Sequence, residues 1–190
     1  MQRIIIGFTG ASGAIYGIRL LEVLRSVSDV ETHLIVSSAA KQTIAIETSY
    51  NIHDVQASAD VVYDNKDISA AISSGSCITS GMIIMPCSIK TLSSIANSYN
   101  DTLIARAADV MLKEKHKLIL GIRETPLHLG HLRLMMHVIE IGATIFPPIP
   151  AFYHRPKTIK DIVDQTINRV LDQYGIMLSQ TLFSRWQNVK

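Results

Sequence analysis

The sequence predicts an α/β protein built as a doubly wound parallel sheet in three layers, α/β/α. Three observations carry that reading. Apolar runs of strand length alternate with longer segments of helical period along nearly the whole chain. The first run, Ile4-Ile5-Ile6-Gly7-Phe8, enters the small-residue turn Thr9-Gly10-Ala11-Ser12-Gly13, and an apolar-periodic segment leaves it. The residues after the later runs are small, polar or proline, as expected where a parallel sheet opens a ligand crevice at the carboxyl ends of its strands.

Taken in order, Arg3 to Phe8 reads as the first strand and Ala14 to Leu24 as the first helix. A strand over Thr32 to Ser37 passes through Ser37-Ser38 into a helix over Ala39 to Thr48. Val61-Val62-Tyr63 is a weaker strand, followed by a helical period at Asp67 to Ile72. Met82 to Met85 is the next strand, and Pro86-Cys87-Ser88-Ile89-Lys90-Thr91 leads from it into a helix at Thr91 to Ala96. Leu103 to Glu114 reads as helix, Lys117 to Ile122 as strand, and Arg123-Glu124-Thr125-Pro126 follows. Leu132 to Ile141 is helical and Ala143 to Phe146 a last strand. The segment Pro147 to Pro156 is too proline-rich for helix or central strand. Ile159 to Tyr174 is an amphipathic helix stopped by Gly175. The pattern is that of a Rossmann/flavodoxin-like sheet covered on both faces. It places one domain at 1–175 and a C-terminal tail at 176–190. The tail's Leu178, Leu182, Phe183 and Trp186 either pack on a neighbouring subunit or fold back on their own domain.

The bulk properties narrow the function classes. A chain of 190 residues is long enough for one unstapled core. A net charge of +2 does not make a nucleic-acid surface, and the one basic run, Lys113-Glu114-Lys115-His116-Lys117, is diluted by Glu114. Small-molecule chemistry is the expectation. Cys77 and Cys87 are isolated, with no C-x-x-C spacing, and read as reduced thiols of a cytoplasmic protein. No apolar run is long enough to span a bilayer. With 47% hydrophobic against 18% charged residues, the apolar surplus points to subunit interfaces or to a large core. His128 and His131 lie three apart, but no third ligand accompanies them, so no metal is expected.

The first turn carries the sharpest chemical signal. Its glycines leave the backbone unobstructed, and the helix that follows aims free N–H groups and its positive dipole end into the turn, where an anion fits. The spacing is G-x-x-G plus Ser12 rather than G-x-G-x-x-G, and no acidic residue stands where a ribose diol would be held. A mononucleotide therefore fits better than a dinucleotide, unless the turn is a plain strand-helix corner. Four strand ends offer hydroxyls, a guanidinium and a carboxylate towards one crevice. Each hydroxyl alone reads equally as a helix N-cap, and their convergence is what suggests a site.

Together the motifs resemble the UbiX/Pad-type flavin prenyltransferases, within the flavodoxin-like flavoprotein decarboxylase superfamily. The signatures are T-G-A-S-G-A at 9–14, S-S-G-S at 73–76, P-C-S-I-K-T-L at 86–92, R-A-A-D-V-M-L-K-E at 106–114, R-E-T-P-L at 123–127 and P-A-F-Y-H-R-P at 150–156. The resemblance covers nearly the whole chain. It implies a metal-independent transfer of the dimethylallyl group of dimethylallyl phosphate to N5 and then C6 of reduced FMN. The prenylated FMN so formed serves as cofactor for a UbiD-type decarboxylase, and the family suggests a dodecamer.

The resemblance also implies roles. Gly10, Ala11, Ser12, Ser37, Ser88, Ile89, Lys90, Thr91 and Arg123 match the residues that hold the flavin and its phosphate. Lys113, Tyr153 and Arg169 match the set around the prenyl phosphate, where two cations and a phenol compensate a leaving dianion. Glu47 and Glu124 match acids near the flavin, with general acid-base work for Glu124. Trp186 matches an aromatic near the prenyl pocket. Read without the resemblance, Arg169 is an ordinary helix-surface arginine, Arg123 pairs with Glu124, Glu47 is a solvated carboxylate and Trp186 is a packing residue. Two departures stand out. His131-Leu132-Arg133-Leu134-Met135 replaces the H-L-E-N-M of many relatives, and Ala105 stands where some carry an acid.

Two other functions compete. FMN-dependent decarboxylases of peptidyl or pantothenoyl cysteine carry a catalytic histidine and a P-A-S-A-N-T-type motif, which this sequence lacks. A non-catalytic FMN-binding subunit would need Ser12, Ser37, Ser88 and Arg123, but not the charged set Lys113, Glu124 and Arg169.

Overall fold

A computed structural model describes residues 1–186. The strands are β1 (Gln2–Phe8), β2 (Val30–Val36), β3 (Val61–Tyr63), β4 (Gly81–Cys87), β5 (Lys117–Ile122) and β6 (Thr144–Ile145). The helices are α1 (Ala14–Leu24), α2 (Ser38–Glu47), α3 (Ile52–Gln56), α4 (Ile89–Ala96), α5 (Leu103–Lys113), α6 (Leu129–Glu140) and α7 (Ile159–Gln173). All pairings in the sheet are parallel, in the order β3-β2-β1-β4-β5-β6. The chain starts in the middle, winds outward through β2 and β3, then crosses back to β4. That puts the switch point between β1 and β4, where a doubly wound sheet opens its crevice.

The chain divides by its contacts into two units, Met1–Pro147 and Pro148–Lys190. In the first unit, side chains alternate across the sheet. Ile5, Ile35, Met82, Ile84, Leu118 and Leu120 form one core with Leu92 and Ile95 of α4, Leu103, Ile104 and Ala107 of α5, and Val138 of α6. Ile4, Ile6 and Phe8 point to the other face, where α1 packs. Fully buried strands covered on both sides account for their continuous apolar runs.

In the second unit α7 starts with a capping box. Thr158 Oγ1 accepts the Asp161 N–H at 3.2 Å, and Asp161 Oδ2 accepts the Thr158 N–H at 3.0 Å. The stretch after Gly175, expected as a separate tail, makes contacts with α7. The Leu182 N–H donates to Asn168 Oδ1 at 3.0 Å, and Arg185 pairs with Asp172. Residues 187–190 of the expected tail lie outside the described residues.

Three local expectations are corrected. Asp67 to Ile72 is not an α-helix. Asp67 Oδ1 accepts the N–H and hydroxyl of Ser69 at 3.1 and 2.6 Å, which competes with helix, and the segment closes as a 3-10 turn at Ala71–Ser73. The five-residue helix α3 was not anticipated. Asn51 caps it by accepting the Asp54 N–H at 2.9 Å. Helix α6 begins three residues before the expected Leu132, because His128 Nδ1 accepts the Gly130 N–H at 3.0 Å and caps it.

Gly17 fixes how closely α1 approaches the sheet. A Cβ there would stand 2.4 Å from the Met85 carbonyl oxygen and 2.5 Å from the Phe8 ring. Gly17→Ala is expected to lose about 1–3 kcal/mol of stability through overpacking, despite the gain in helix propensity of up to ~1 kcal/mol. Urea unfolding midpoints measure it.

Candidate active site

The crevice is built where β1 and β4 end side by side. Thr9 Oγ1 donates to the Pro86 carbonyl at 2.9 Å and accepts the Ser88 N–H at 2.8 Å, so one buried hydroxyl latches the two strand ends. Gly10 comes next, and a Cβ there would fall 2.4 Å from the Ala39 Cβ. Only glycine lets the start of α2 come that close.

Three helices begin around this space, each capped by a hydroxyl. Ser37 Oγ accepts the Ala40 N–H at 3.1 Å, Ser88 Oγ the Thr91 N–H at 3.3 Å and Thr102 Oγ1 the Ala105 N–H at 3.3 Å. The Asn65 side chain closes the far wall by accepting the Ile104 N–H at 3.1 Å. The resulting cavity of about 280 Å³ is lined by Thr9, Gly10, Ser37, Ser88, Lys90, Thr91, Thr102 and their neighbours. Capping uses one amide each of α2 and α4 and leaves others for a ligand, whereas the first amides of α5 are taken by Asn65 and Thr102, so two of the three helix ends suit a phosphate. Sequence reading missed Thr9, Asn65 and Thr102. Thr102 was legible as a hydroxyl directly before the apolar period of α5.

The first turn behaves otherwise than expected. Its anion comes from the chain itself: Glu47 Oε2, at the end of α2, accepts the Gly13 N–H at 2.8 Å and the Ala14 N–H at 3.1 Å. Partial burial pushes the Glu47 carboxyl up. Hydrogen bonds from Ser12, Gly13 and Ala14, with the Arg123 charge, outweigh it and hold the group below its ordinary value. Ser12, Glu47 and Arg123 therefore form one electrostatic cluster, and Glu47 is not a free surface carboxylate.

The remaining residues divide. Ala11 is buried beside the turn and Ile89 opens α4, while exposed Lys90 lies 4.0 Å from Asp101. Arg123 and Glu124 follow β5. The Arg123 N–H donates to the Cys87 carbonyl at 3.2 Å, and Glu124 Oε1 accepts the Thr125 N–H at 3.1 Å. Lys113 does not join this cavity. It ends α5, the helix whose other end lines the cavity, and its ammonium pairs with Glu114 beside Gly75.

The second unit holds a cavity of its own, about 460 Å³, lined by Tyr153, Gln165, Arg169, Phe183, Arg185 and Trp186. The Tyr153 ring meets Trp186 edge-on at 5.5 Å and Phe183 at 6.3 Å between centroids. Gln165 Nε2 donates to the Tyr153 hydroxyl at 3.4 Å, and Gln165 and Arg169 share a helix face by their i, i+4 spacing. Tyr153, Arg169 and Trp186 thus line one cavity, and Lys113 is not among its lining residues. Gln165 and Arg185 were missed, although the spacing of Gln165 from Arg169 was legible.

Fold and site define a class, the α/β proteins that hold a phosphate-bearing ligand at a switch point, and a model of the Flavoprotein family matches residues 1–171. The flavin prenyltransferase UbiX of Escherichia coli K12 is 62% identical over 187 residues, covering 98% of this chain and 99% of the relative. The Thauera aromatica enzyme of the same name is 58% identical, covering 97% and 94%. A crystal structure of AnUbiX (PadA1) in complex with FMN and dimethylallyl pyrophosphate superposes with a TM-score of 0.95 at 47% identity, covering 100% of this chain and 99% of that one. A dodecameric FMN-dependent UbiX-like decarboxylase from Escherichia coli O157:H7 gives 0.94 at 48% identity, covering 99% and 100%. The chain belongs to the UbiX family of flavin prenyltransferases. Among the described residues no helix is long and apolar enough to cross a membrane.

Glu47 makes a pH signature measurable. Its folded carboxyl lies below the ordinary 4.5, so the stability it adds is present above that value and is lost as pH falls through the folded one. The difference in urea midpoint between wild type and Glu47→Gln is expected to be largest near about pH 7 and to close towards about pH 3.

Proposed function

We propose that the protein transfers the dimethylallyl group of dimethylallyl phosphate to reduced FMN, with the flavin phosphate in the crevice of the first unit and the prenyl phosphate in the cavity of the second. The observation that carries this reading is the convergence of three capped helix N-termini, α2, α4 and α5, on one hydroxyl-lined space in a chain of this family. Gly10, Ala11, Ser12, Ser37, Ser88, Ile89, Lys90, Thr91 and Arg123 are assigned to the flavin. Backbone amides and short hydroxyls bind the phosphate without adding charge, and Arg123 supplies a fixed fork for phosphate or ring carbonyl oxygens.

The reaction leaves the flavin reduced. The C–O bond of the prenyl phosphate breaks with its electron pair going to phosphate, and carbon bonds form at N5 and C6. N5 and C6 each give up a proton, one ending on the prenyl chain and the other on phosphate. Glu47, held ionised with Ser12 beside it, is placed to accept a proton rather than donate one. Glu124 is assigned the other transfer. Arg169 and Tyr153 meet the leaving phosphate, and Trp186 offers an aromatic surface to the allylic group as positive charge develops.

Assembly enters in two ways. Helix α6 buries Val138 but leaves Leu129, Met136 and Ile139 more than half exposed, an apolar face suited to a neighbouring subunit in a dodecamer. Lys113, remote from its own protomer's crevice, is assigned to the prenyl phosphate site of another subunit. The protein is placed in the cytoplasm, delivering prenylated FMN to a UbiD-type decarboxylase.

Anaerobic incubation with reduced FMN and dimethylallyl phosphate, followed by mass spectrometry of the extracted flavin, is expected to show the gain of one prenyl unit. Unchanged FMN from protein that binds it would instead support the flavin-delivery role. Arg169→Met should lower kcat/KM by about 10²-fold, as for loss of one preorganised charge donor, with FMN affinity retained. Met136→Glu is expected to shift the assembly to smaller species by size-exclusion chromatography with light scattering.

A further inference from the structure

The cavity of the second unit contains a guanidinium to which no role has been assigned. Arg185 lines it opposite helix α7, and its Nη1 and Nη2 donate to Oδ2 and Oδ1 of Asp172 at 2.8 and 2.7 Å, a fork on a carboxylate. The same Asp172 Oδ2 accepts from Arg169 Nη1 at 3.1 Å, and Asn168 Nδ2 donates to Oδ1 at 3.2 Å. One carboxylate, largely covered, thus ties together two arginines whose side chains are 46% and 44% exposed. Burial of the anion and exposure of the cations turns their unused N–H groups outward. The guanidinium of Arg185 also lies 5.8 Å from the Phe183 centroid, within cation–π reach.

Asn168 completes the arrangement. It is 2% exposed, and its Oδ1 accepts the Leu182 N–H while its Nδ2 donates to Asp172. The stretch that carries Phe183, Arg185 and Trp186 is therefore registered on α7 by a backbone bond and an ion pair. The lining is then three aromatic rings, one of them a phenol, an amide and two guanidiniums, with Asp172 beneath the latter. That is the chemistry of a small apolar group ending in a phosphate.

We propose that Arg185 is a second phosphate-contacting arginine of the prenyl phosphate site, and that Asp172 is the positioning residue that sets Arg169 and Arg185 at one spacing to receive it. This assignment rests on the reading of the second unit's cavity as the prenyl phosphate site. A pair at fixed spacing grips two oxygens of one phosphate. Releasing either from Asp172 returns it to many rotamers and weakens binding.

Trp186 is the single tryptophan of the chain and lines this cavity, so its emission reports occupancy without turnover. Flavin-free full-length protein is titrated with dimethylallyl phosphate and, separately, with inorganic phosphate, while FMN affinity is followed in parallel by flavin fluorescence. A saturable change in Trp186 emission is expected for wild type with both probes. Arg185→Met should weaken both titrations by about tenfold or more, the loss of a charge-assisted pair, with FMN affinity unchanged. Arg185→Lys, which keeps the charge and guards against misfolding, should fall between the two. Asp172→Asn should raise KM for dimethylallyl phosphate more than it lowers kcat. Wild-type affinity in both Arg185 variants would overturn the proposal and reduce Arg185 to an anchor of the C-terminal stretch. Absence of any response to either probe in wild type would overturn it as well. Phosphate binding that depends on Arg185 in a protein that never prenylates FMN would sustain this anion site and sink the prenyltransferase reading.

Discussion

Parallel pairing of all six strands is the constraint on which the rest of the first unit depends. Because every strand runs the same way, every strand ends, and every following helix begins, on one edge of the sheet. Amide groups that an antiparallel sheet would scatter are gathered on one rim. The Thr9 hydroxyl, bonded to Pro86 and Ser88, holds the two central strand ends level, and Gly10 admits α2 to within contact of the turn. The crevice is the result of topology plus one hydroxyl and one missing side chain.

Four helices present their N-termini to that rim region, but they do not share one fate. The amino end of α1 is occupied by the chain's own carboxylate, Glu47, while α2 and α4 are capped by neutral hydroxyls that leave amides to spare and α5 spends its first amides on Asn65 and Thr102. A carboxylate on α1 cancels positive potential there, which leaves α2 and α4 as the better ends for an anion. The same bond places an ionised carboxylate and Ser12 together, beside the charge of Arg123. One internal ion thus fills the amino end of α1 and stays ionised there.

What was legible in the sequence followed from period and local chemistry. The limits of α1 were found to the residue, because Gly13 and the run after Leu24 mark both ends. Ser37 and Ser88 were found because a cap is a local device. The misses were non-local or came from competition. Asp67 to Ile72 carries a helical period, yet the Asp67 side chain captures Ser69 and ends the matter within one turn. The occupation of the first turn by Glu47 depends on a contact across 34 positions, which no spacing rule reports. Lys113 matched a motif, but a motif does not say at which end of a helix a residue falls. Its place in the last turn of α5, away from the cavity at the other end, became visible only once both ends of that helix were located.

As the proposed prenyl phosphate site, the second unit's cavity illustrates why charge near a leaving group needs a counterweight. An allylic C–O bond breaks more readily as the phosphate's growing charge is compensated, which favours guanidiniums. Uncompensated guanidiniums would hold product phosphate as firmly as they hold the transition state, and such uniform binding does not raise kcat. Asp172 beneath Arg169 and Arg185 leaves the three groups with a net charge of about +1 while fixing their geometry. The prenyl end carries the opposite demand, since an allylic cation is destabilised by arginine and tolerated by aromatic rings. Tyr153, Phe183 and Trp186 supply those rings. In the proposed assignment, an aromatic wall and an arginine pair held by a carboxylate serve the two ends of the breaking bond from one cavity.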